Sequence, residues 1–424
     1  MISAGQSLVD PRELVAPDGS WVKPDVFANP AIYELELQKI FSKCWLLLCP
    51  EAEIPNPGDF FATYMGEDPV LVVRQADGSV IALLNQCRHR GAALCRADQG
   101  NLKVFTCTYH GWSYDMSGKL VAIPNEDSFS SPVDRERWSA RRVPRVTVDN
   151  GLVLGSFDPD APPFRETLGD AAWYFDAMFG RTDAGLEAIP GAFKWKINCN
   201  WKLPVEQFTT DGMHFSISHI SALIAIADEF KGAPASAPGS PTYLFSNEFG
   251  HGVSIATDPA FAGFSDFSPG LTAFQRLHRE AVLPKLGHMR ASGSQILHSN
   301  IFPTLSYLPI QHTLRTWHPK GPDAIEVYAW TVVERDAPEE VRAERRIVTG
   351  RTFGSLGIFE QDDAVNWGDI QRTVRGLNAR QTELNYMMGR SGEHPELPGK
   401  THLTYSEEGG RAMYRRWLEL LTAE

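Results

Sequence analysis

Two short runs of this chain each pair a thiol with an imidazole: Cys87 with His89 in CRHRG, and Cys107 with His110 in CTYHGW. Seventeen residues separate His89 from Cys107, and a chain of 424 residues holds only 6 cysteines and 12 histidines, so the pattern is a poor candidate for chance. Two thiolates and two imidazoles that close on one point bind zinc or an iron–sulfur cluster. Zinc fingers set cysteine beside cysteine and histidine beside histidine, whereas each run here mixes the two. A mixed pair on each of two loops suits a two-iron cluster in which one iron takes both thiolates and the other both imidazoles. Imidazole in place of thiolate removes negative charge and raises the potential, so such a cluster accepts electrons from a low-potential donor. Zinc stays as the alternative, and colour separates the two, since the iron cluster is red-brown and zinc colourless.

A second set of candidate ligands lies in NWKLPVEQFTTDGMHFSISHIS, residues 200–221. Asp211 and His214 are three apart, on one face if the segment is helical, so the carboxylate can accept a hydrogen bond from the ring nitrogen that is not on a metal. His219 follows His214 by five residues, which an unbroken helix turns well away. Both can reach one ion only if the helix ends or bulges between them. Two histidines and a carboxylate on one face of Fe(II) leave the opposite face open for O₂ and substrate. The carboxylate has to come from elsewhere in the chain.

Through CRHRG at 87–91 and CTYHGWSYD at 107–115 the sequence resembles the Rieske non-haem iron aromatic-ring-hydroxylating dioxygenases, large (alpha) subunit. The likeness extends to NWK and EQF ahead of the histidines, to SNIFPTLSYLP at 299–309 and to RTWHPKGP at 315–322, and so spans about residue 30 to about residue 420. Gln207 places the resemblance nearest the biphenyl and phenylpropionate dioxygenase-like group, and the four residues between His214 and His219 match the phenylpropionate type, where the biphenyl enzymes have five. The resemblance implies that Cys87, His89, Cys107 and His110 hold a [2Fe–2S] Rieske cluster. It also implies that His214 and His219 hold a mononuclear Fe(II) with Asp363 of TFGSLGIFEQDDAVNW, residues 352–367, with Asp362 as the rival ligand.

By the same likeness, NAD(P)H is used indirectly, through a partner reductase and usually a ferredoxin, and O₂ is added to an aromatic hydrocarbon or aromatic acid to give a cis-dihydrodiol. Electrons would cross between neighbouring subunits of a trimer, alone or with small beta subunits, and Asp211 would bridge His110 of one chain to His214 of the next. A Rieske monooxygenase or demethylase is the closest rival. An electron carrier with an inactive catalytic domain is the more remote one, and the presence of Asp211, His214, His219 and Asp363 together speaks against it. The substrate pocket should be mainly apolar, with Gln207, Phe208, Met213, Phe353 and Leu356 as its candidates and His298 as a polar contact. Cys95 fits neither pair and reads as an apolar thiol at the core. Arg88, Arg90, Arg96, Lys103 and Lys119 make the first segment locally basic, a solvated face or a docking face for an acidic electron donor.

Positioning such sites takes two kinds of element. PVLVVRQADGSVIALLN and WSYDMSGKLVAIP each set β-rich runs around a turn, at Asp77 and Gly78 and at Ser117 and Gly118, so the first ligand set sits at the loop ends of a small all-β domain. FDPDAPPF at 157–164 reads as a linker. Beyond it, helices such as AAWYFDAMF and EEVRAERRIVTGRTF mix with strands such as AIEVYAWTVVE, which predicts an α+β catalytic domain with an antiparallel sheet flanked by helices. The expected domains are an N-terminal segment, 1–39, packed on the catalytic domain, a Rieske domain at 40–157, and the catalytic domain at 158–424. KGAPASAPGSP, residues 231–241, disfavours helix and sheet and reads as a surface connection or a lid. The net charge of −12 argues against nucleic acid or an anionic membrane as partner, and no run of about 18 apolar residues occurs. The few cysteines and the lack of a secretory signal point to a reducing compartment, the cytoplasm.

Overall fold

The computed structural model describes residues 9–180, 182–226, 242–257, 269–291, 296–389 and 392–423. The segment 231–241 lies outside the described residues. The chain divides into two compact units, Phe41–Ala161 and a larger one made of Met1–Ile40 with Pro162–Glu424. The small unit runs past residue 157 because the next turn bonds back onto it: Asp158 N donates to Ser156 Oγ at 3.1 Å, and Asp158 Oδ2 accepts from Lys43 Nζ at 3.2 Å.

In the small unit four strands form an antiparallel sheet in the order Val80–Leu84, Asp68–Arg74, Asp59–Met65, Gln99–Asn101. The first hairpin closes where Asp77 Oδ1 accepts both the amide and the hydroxyl of Ser79, leaving Gly78 at φ 83°. Asp115 repeats the device between Ser113–Asp115 and Leu120–Ala122, accepting from the amides of Ser117 and Lys119. Gly118 there has φ 86°, and a Cβ on it would come within 2.8 Å of Leu83 Cδ2, so the turn admits no side chain. Phe60, Leu71, Leu83, Phe105 and Tyr114 fill the core beneath, and Cys95 packs half-buried against it as an apolar thiol.

The larger unit is built on an antiparallel sheet in the order Leu186–Ala188, Ile325–Glu334, Thr313–Pro319, Leu305–Leu308, Ile296–Ile301, Gly252–Ala256, Thr242–Ser246, Lys400–Leu403, with Phe193–Ile197 also paired to Ile325–Glu334. AAWYFDAMF forms the helix Ala171–Phe179, and EEVRAERRIVTGRTF supplies Glu339–Thr352. The N-terminal segment is tied in by one buried acid. Glu36, at the end of the helix Pro30–Glu36, accepts from Lys202 Nζ at 2.5 Å, Trp201 Nε1 at 2.8 Å and Trp417 Nε1 at 2.7 Å. A carboxylate without solvent needs such partners, and here they come from two remote parts of the sequence, 201–202 and 417.

The helix Lys202–Thr210 leads into the second ligand set, and two glycines fix its place. A Cβ at Gly252 of the sheet would lie 2.2 Å from Thr209 O, and one at Gly409 of the C-terminal helix Glu408–Thr422 would lie 2.9 Å from Thr210 Cβ. The helix is therefore held on both sides at backbone contact. No described helix is long and apolar enough to cross a membrane.

Candidate metal centres

The two cysteine–histidine loops are the same turn made twice. Cys87 N donates to Ala92 O at 2.7 Å and Cys107 N to Trp112 O at 2.9 Å, while Gly91 N returns to Cys87 O and Gly111 N to Cys107 O, both at 2.9 Å. Gly91 and Gly111 have φ of 79° and 73°, a region where a side chain is strained. The repeated turn brings the His89 and His110 rings to 4.4 Å and buries both thiols, which are free.

His89 Nδ1 is buried without a hydrogen-bond partner, costly for a polar atom unless it is a ligand. Burial, then His110 and Arg90, lowers the His89 pKa and keeps the ring neutral, as ligation requires. Burial likewise raises the Cys87 thiol, which a metal would reverse by taking the thiolate. Tyr114 Oη lies 3.5 Å from Cys87 Sγ, and Trp112 stacks flat on His89 with ring centres 5.0 Å apart. Two thiols and two imidazoles, one of them with an orphaned nitrogen, fit a [2Fe–2S] cluster of the Rieske type.

Around the second set the chain departs from a simple helix. The helix Lys202–Thr210 stops at Asp211, whose backbone is extended (φ −95°, ψ 91°), so Asp211 and His214 do not share a helix face. Instead Asp211 Oδ1 accepts the amides of Met213 at 2.8 Å and His214 at 3.1 Å, and Oδ2 comes within 3.3 Å of His214 Nδ1. Proximity survives through a capped turn. The helix Phe215–Ser218 ends at His219 (φ −95°, ψ 13°) before Ile220–Ala225 begins, the break that two ligands five apart demand.

That break aims two rings at one carboxylate from the helix Ile358–Val374. His214 Nε2 lies 3.5 Å and His219 Nε2 3.4 Å from Asp363 Oδ1, and the three donor atoms fall within 4.8 Å of one another. Among the described residues nothing donates a hydrogen bond to the buried Asp363 Oδ1, which is costly for a carboxylate oxygen unless it meets a cation. The adjacent Asp362 takes the other side of the ring, with Oδ2 3.1 Å from His219 Nδ1. Burial acts to raise the Asp211 carboxyl, but the His214 ring and the two amides outweigh it, and its pKa lies below the ordinary value. His214 mirrors this: burial acts to lower it, and Asp211 with Asp363 raises it. Two imidazoles and one carboxylate with a free oxygen fit Fe(II) bound on one face.

Comparison with known proteins agrees with both halves. Residues 44–138 match the Rieske [2Fe-2S] domain, and residues 164–423 match the Ring hydroxylating alpha subunit (catalytic domain). The chain belongs to the ring-hydroxylating dioxygenase alpha subunits. Biphenyl 2,3-dioxygenase subunit alpha of Rhodococcus jostii (strain RHA1) is 42% identical over 98% of this chain and 92% of its own. Benzene 1,2-dioxygenase subunit alpha of Pseudomonas putida is 41% identical over 95% of this chain and 91% of its own. Among solved structures, naphthalene 1,2-dioxygenase with indole bound in the active site superposes with a TM-score of 0.90 at 31% identity, over 98% of this chain and 95% of that one. The chain is thus the terminal oxygenase component of an aromatic-ring dioxygenase.

Within this alpha subunit the expected pocket residues separate. Phe208 and Phe353 are buried, each packed against the Arg315 guanidinium, with Phe208 also edge-on to Trp317 at 5.3 Å. Met213 is half-buried, its amide bonded to Asp211. Gln207 Oε1 accepts from Trp367 Nε1 at 2.9 Å, which couples it to the helix that carries Asp363. His298 Nδ1 donates to Phe208 O at 2.9 Å, leaving Nε2 a buried acceptor without a partner, and burial lowers this ring to about 4. Leu356 is 82% exposed in the turn ahead of the Asp363 helix, so it does not wall an enclosed pocket; a short turn, unlike a helix face, leaves its side chain in solvent.

Three features escaped the sequence reading. Phe215 and Phe359 flank His219 at 5.6 and 5.0 Å, which four-residue spacing from His219 and from Asp363 could have suggested. Asp362 acts as a partner of His219, a role the tandem acids left open. Glu206, between two tyrosines remote in sequence, carried no local signal at all.

Proposed function

We propose that this alpha subunit cis-dihydroxylates an uncharged aromatic hydrocarbon, with Cys87, His89, Cys107 and His110 holding the Rieske cluster and His214, His219 and Asp363 holding one Fe(II). The observation that carries the reading is the convergence of His214 Nε2 and His219 Nε2 on the unpartnered, buried Asp363 Oδ1. When bound, the iron supplies the open coordination face on which O₂ is activated. This chain's residues do the rest. Asp362 fixes the orientation of His219, and Asp211 that of His214. Phe215, Phe353 and Phe359 form an apolar, water-poor flank to the site, which suits a hydrocarbon ring.

A hydrocarbon is preferred to an aromatic acid for a specific reason. The cation packed on Phe353, Arg315, is buried and already held by Glu360 at 2.5 Å and by Phe353 O at 2.8 Å, so it offers no seat for a substrate carboxylate. The named relatives act on biphenyl and benzene. Electrons are supplied from NAD(P)H by a separate reductase, directly or through a ferredoxin. They leave the Rieske cluster at His110 and reach His214 through Asp211 of the next copy in a trimer, with or without beta subunits. The exposed Arg90, Arg96, Lys103 and Lys119 give the donor a basic face to dock on.

The test is composition and turnover together. Purified protein should hold about three irons and two acid-labile sulfides per chain. Supplied with reductase, it should consume O₂ with biphenyl, benzene or naphthalene and give diol. Two irons with no uptake would favour an electron carrier, and uptake with benzoate alone would overturn the hydrocarbon preference.

A further inference from the structure

We propose that Glu206, gripped by the phenols of Tyr386 and Tyr414, is the group that takes up a proton when an electron reaches the mononuclear site through Asp211. The proposal rests on the electron route given above, but its first half, a Glu206 that titrates at neutral pH under the influence of Asp211, is independent of that route.

The geometry is that of a built acceptor. Tyr414 Oη donates to Glu206 Oε2 at 2.6 Å and Tyr386 Oη donates to the same oxygen at 2.9 Å, so both phenolic protons point at one atom and Oε1 is left to hold or release a proton of its own. A structural carboxylate in this protein looks different: both oxygens of Glu36 are occupied, by an ammonium and two indoles. Glu206 has no cation among its described partners. It lies midway along the helix held between Gly252 and Gly409, five residues ahead of Asp211, which caps that helix.

The surrounding charges set the direction. Burial pushes the Glu206 carboxyl up to about 7; the two tyrosines act against that rise, and the like charges of Asp211 and Glu407 add to it. On the elements packed against this helix, the other titratable groups are Arg411 and Arg415, both paired with Glu408, Arg416, paired with Glu419, the phenol of Tyr307, and His298, which burial keeps neutral. Glu407 is itself raised, by burial first and by Asp211 in part, whereas Asp211 lies below its ordinary value. The step balances simply. The electron leaves the Rieske cluster, which is oxidised, and the mononuclear site is reduced; one proton comes from water, and the Glu206 carboxylate becomes the acid. No other bond forms or breaks, and the buried region gains no net charge.

The first measurement needs no iron. The infrared band of a protonated carboxyl is followed against pH in the metal-free protein. It should titrate near neutrality, vanish in Glu206→Gln, move to higher pH in Tyr414→Phe, and move to lower pH in Asp211→Asn, by on the order of one unit each. A band with no neutral midpoint, or a midpoint that Asp211→Asn leaves in place, overturns the proposal. The second uses iron-loaded protein with a pH indicator in weak buffer: reduction should draw protons from solution in the native protein, and measurably fewer in Glu206→Gln. Equal uptake in both overturns the second half. If the band shifts as stated while Asp211→Asn turns over fully, the electron route has failed and the titrating group stands.

Discussion

Asp362 Oδ2 lies 3.1 Å from His219 Nδ1, the ring nitrogen on the far side from Asp363, so two neighbouring acids serve one imidazole in different capacities. Asp363→Asn should remove the mononuclear metal and leave the cluster, giving about two irons per chain with unchanged Rieske absorbance. Asp362→Asn should keep the metal but weaken it by about 10- to 100-fold, as loss of a ring-orienting partner does. Metal titration of the two variants reads this directly; equal loss in both would make the two acids equivalent.

Asp211 holds His214 by its carboxylate and by two backbone amides. In Asp211→Asn both metals should remain at saturating iron, the mononuclear one held more weakly because the acid that orients His214 is lost, while hydroxylation driven by the reductase is abolished. The measurement is product formed per NAD(P)H consumed, with iron and sulfide counted in the same preparation. Full turnover by this variant would remove Asp211 from the electron route.

The close approach at Gly252 predicts a remote effect on the metal site. In Gly252→Ala the new methyl would stand 2.2 Å from Thr209 O, and the helix that leads to Asp211 and His214 would have to shift. Overpacking of this kind costs about 1–3 kcal/mol, occasionally more. Thermal unfolding should fall accordingly and mononuclear iron should drop, while the Rieske spectrum, which belongs to the other unit, stays unchanged.

His251 gives the fold an acid limit. Its Nε2 donates to Thr167 O at 2.8 Å and its Nδ1 accepts from Phe302 N at 2.9 Å, so the ring is held neutral, and burial lowers it to about 4 from an ordinary 6.5. The unfolded chain therefore binds the proton first. Stability from this group is complete above pH 6.5 and is lost as pH falls toward 4, by at most about 3 kcal/mol. Unfolding midpoints measured at pH 7 and at pH 5 should differ less in His251→Gln than in the native protein.

What the sequence disclosed depended on how local each feature is. The two hairpins and the paired cysteine–histidine loops were legible because a turn is made by adjacent residues: Asp77 and Asp115 cap their own hairpins, and Gly91 and Gly111 close their own ligand loops. The break between His214 and His219 was legible from helix geometry alone. The relation of Asp211 to His214 was right in its closeness but not in its means, since a capped turn and not a helix face joins them. Asp363 was reached only through resemblance, because the sheet and the helix Ile358–Val374 bring it 144 positions back to His219. Glu206 was invisible for the same reason, its tyrosines lying 180 and 208 positions away.

The most direct test of ring dihydroxylation is the fate of labelled oxygen. Purified alpha subunit, with reductase, ferredoxin and any beta subunit it requires, is given naphthalene or biphenyl under oxygen-18 gas, and the product is weighed by mass spectrometry. The expected product is a cis-diol in which both new oxygens carry the label and come from a single O₂ molecule, as mixed-isotope gas would verify. A product with one labelled oxygen would contradict it and assign the same two metal sites to monooxygenation.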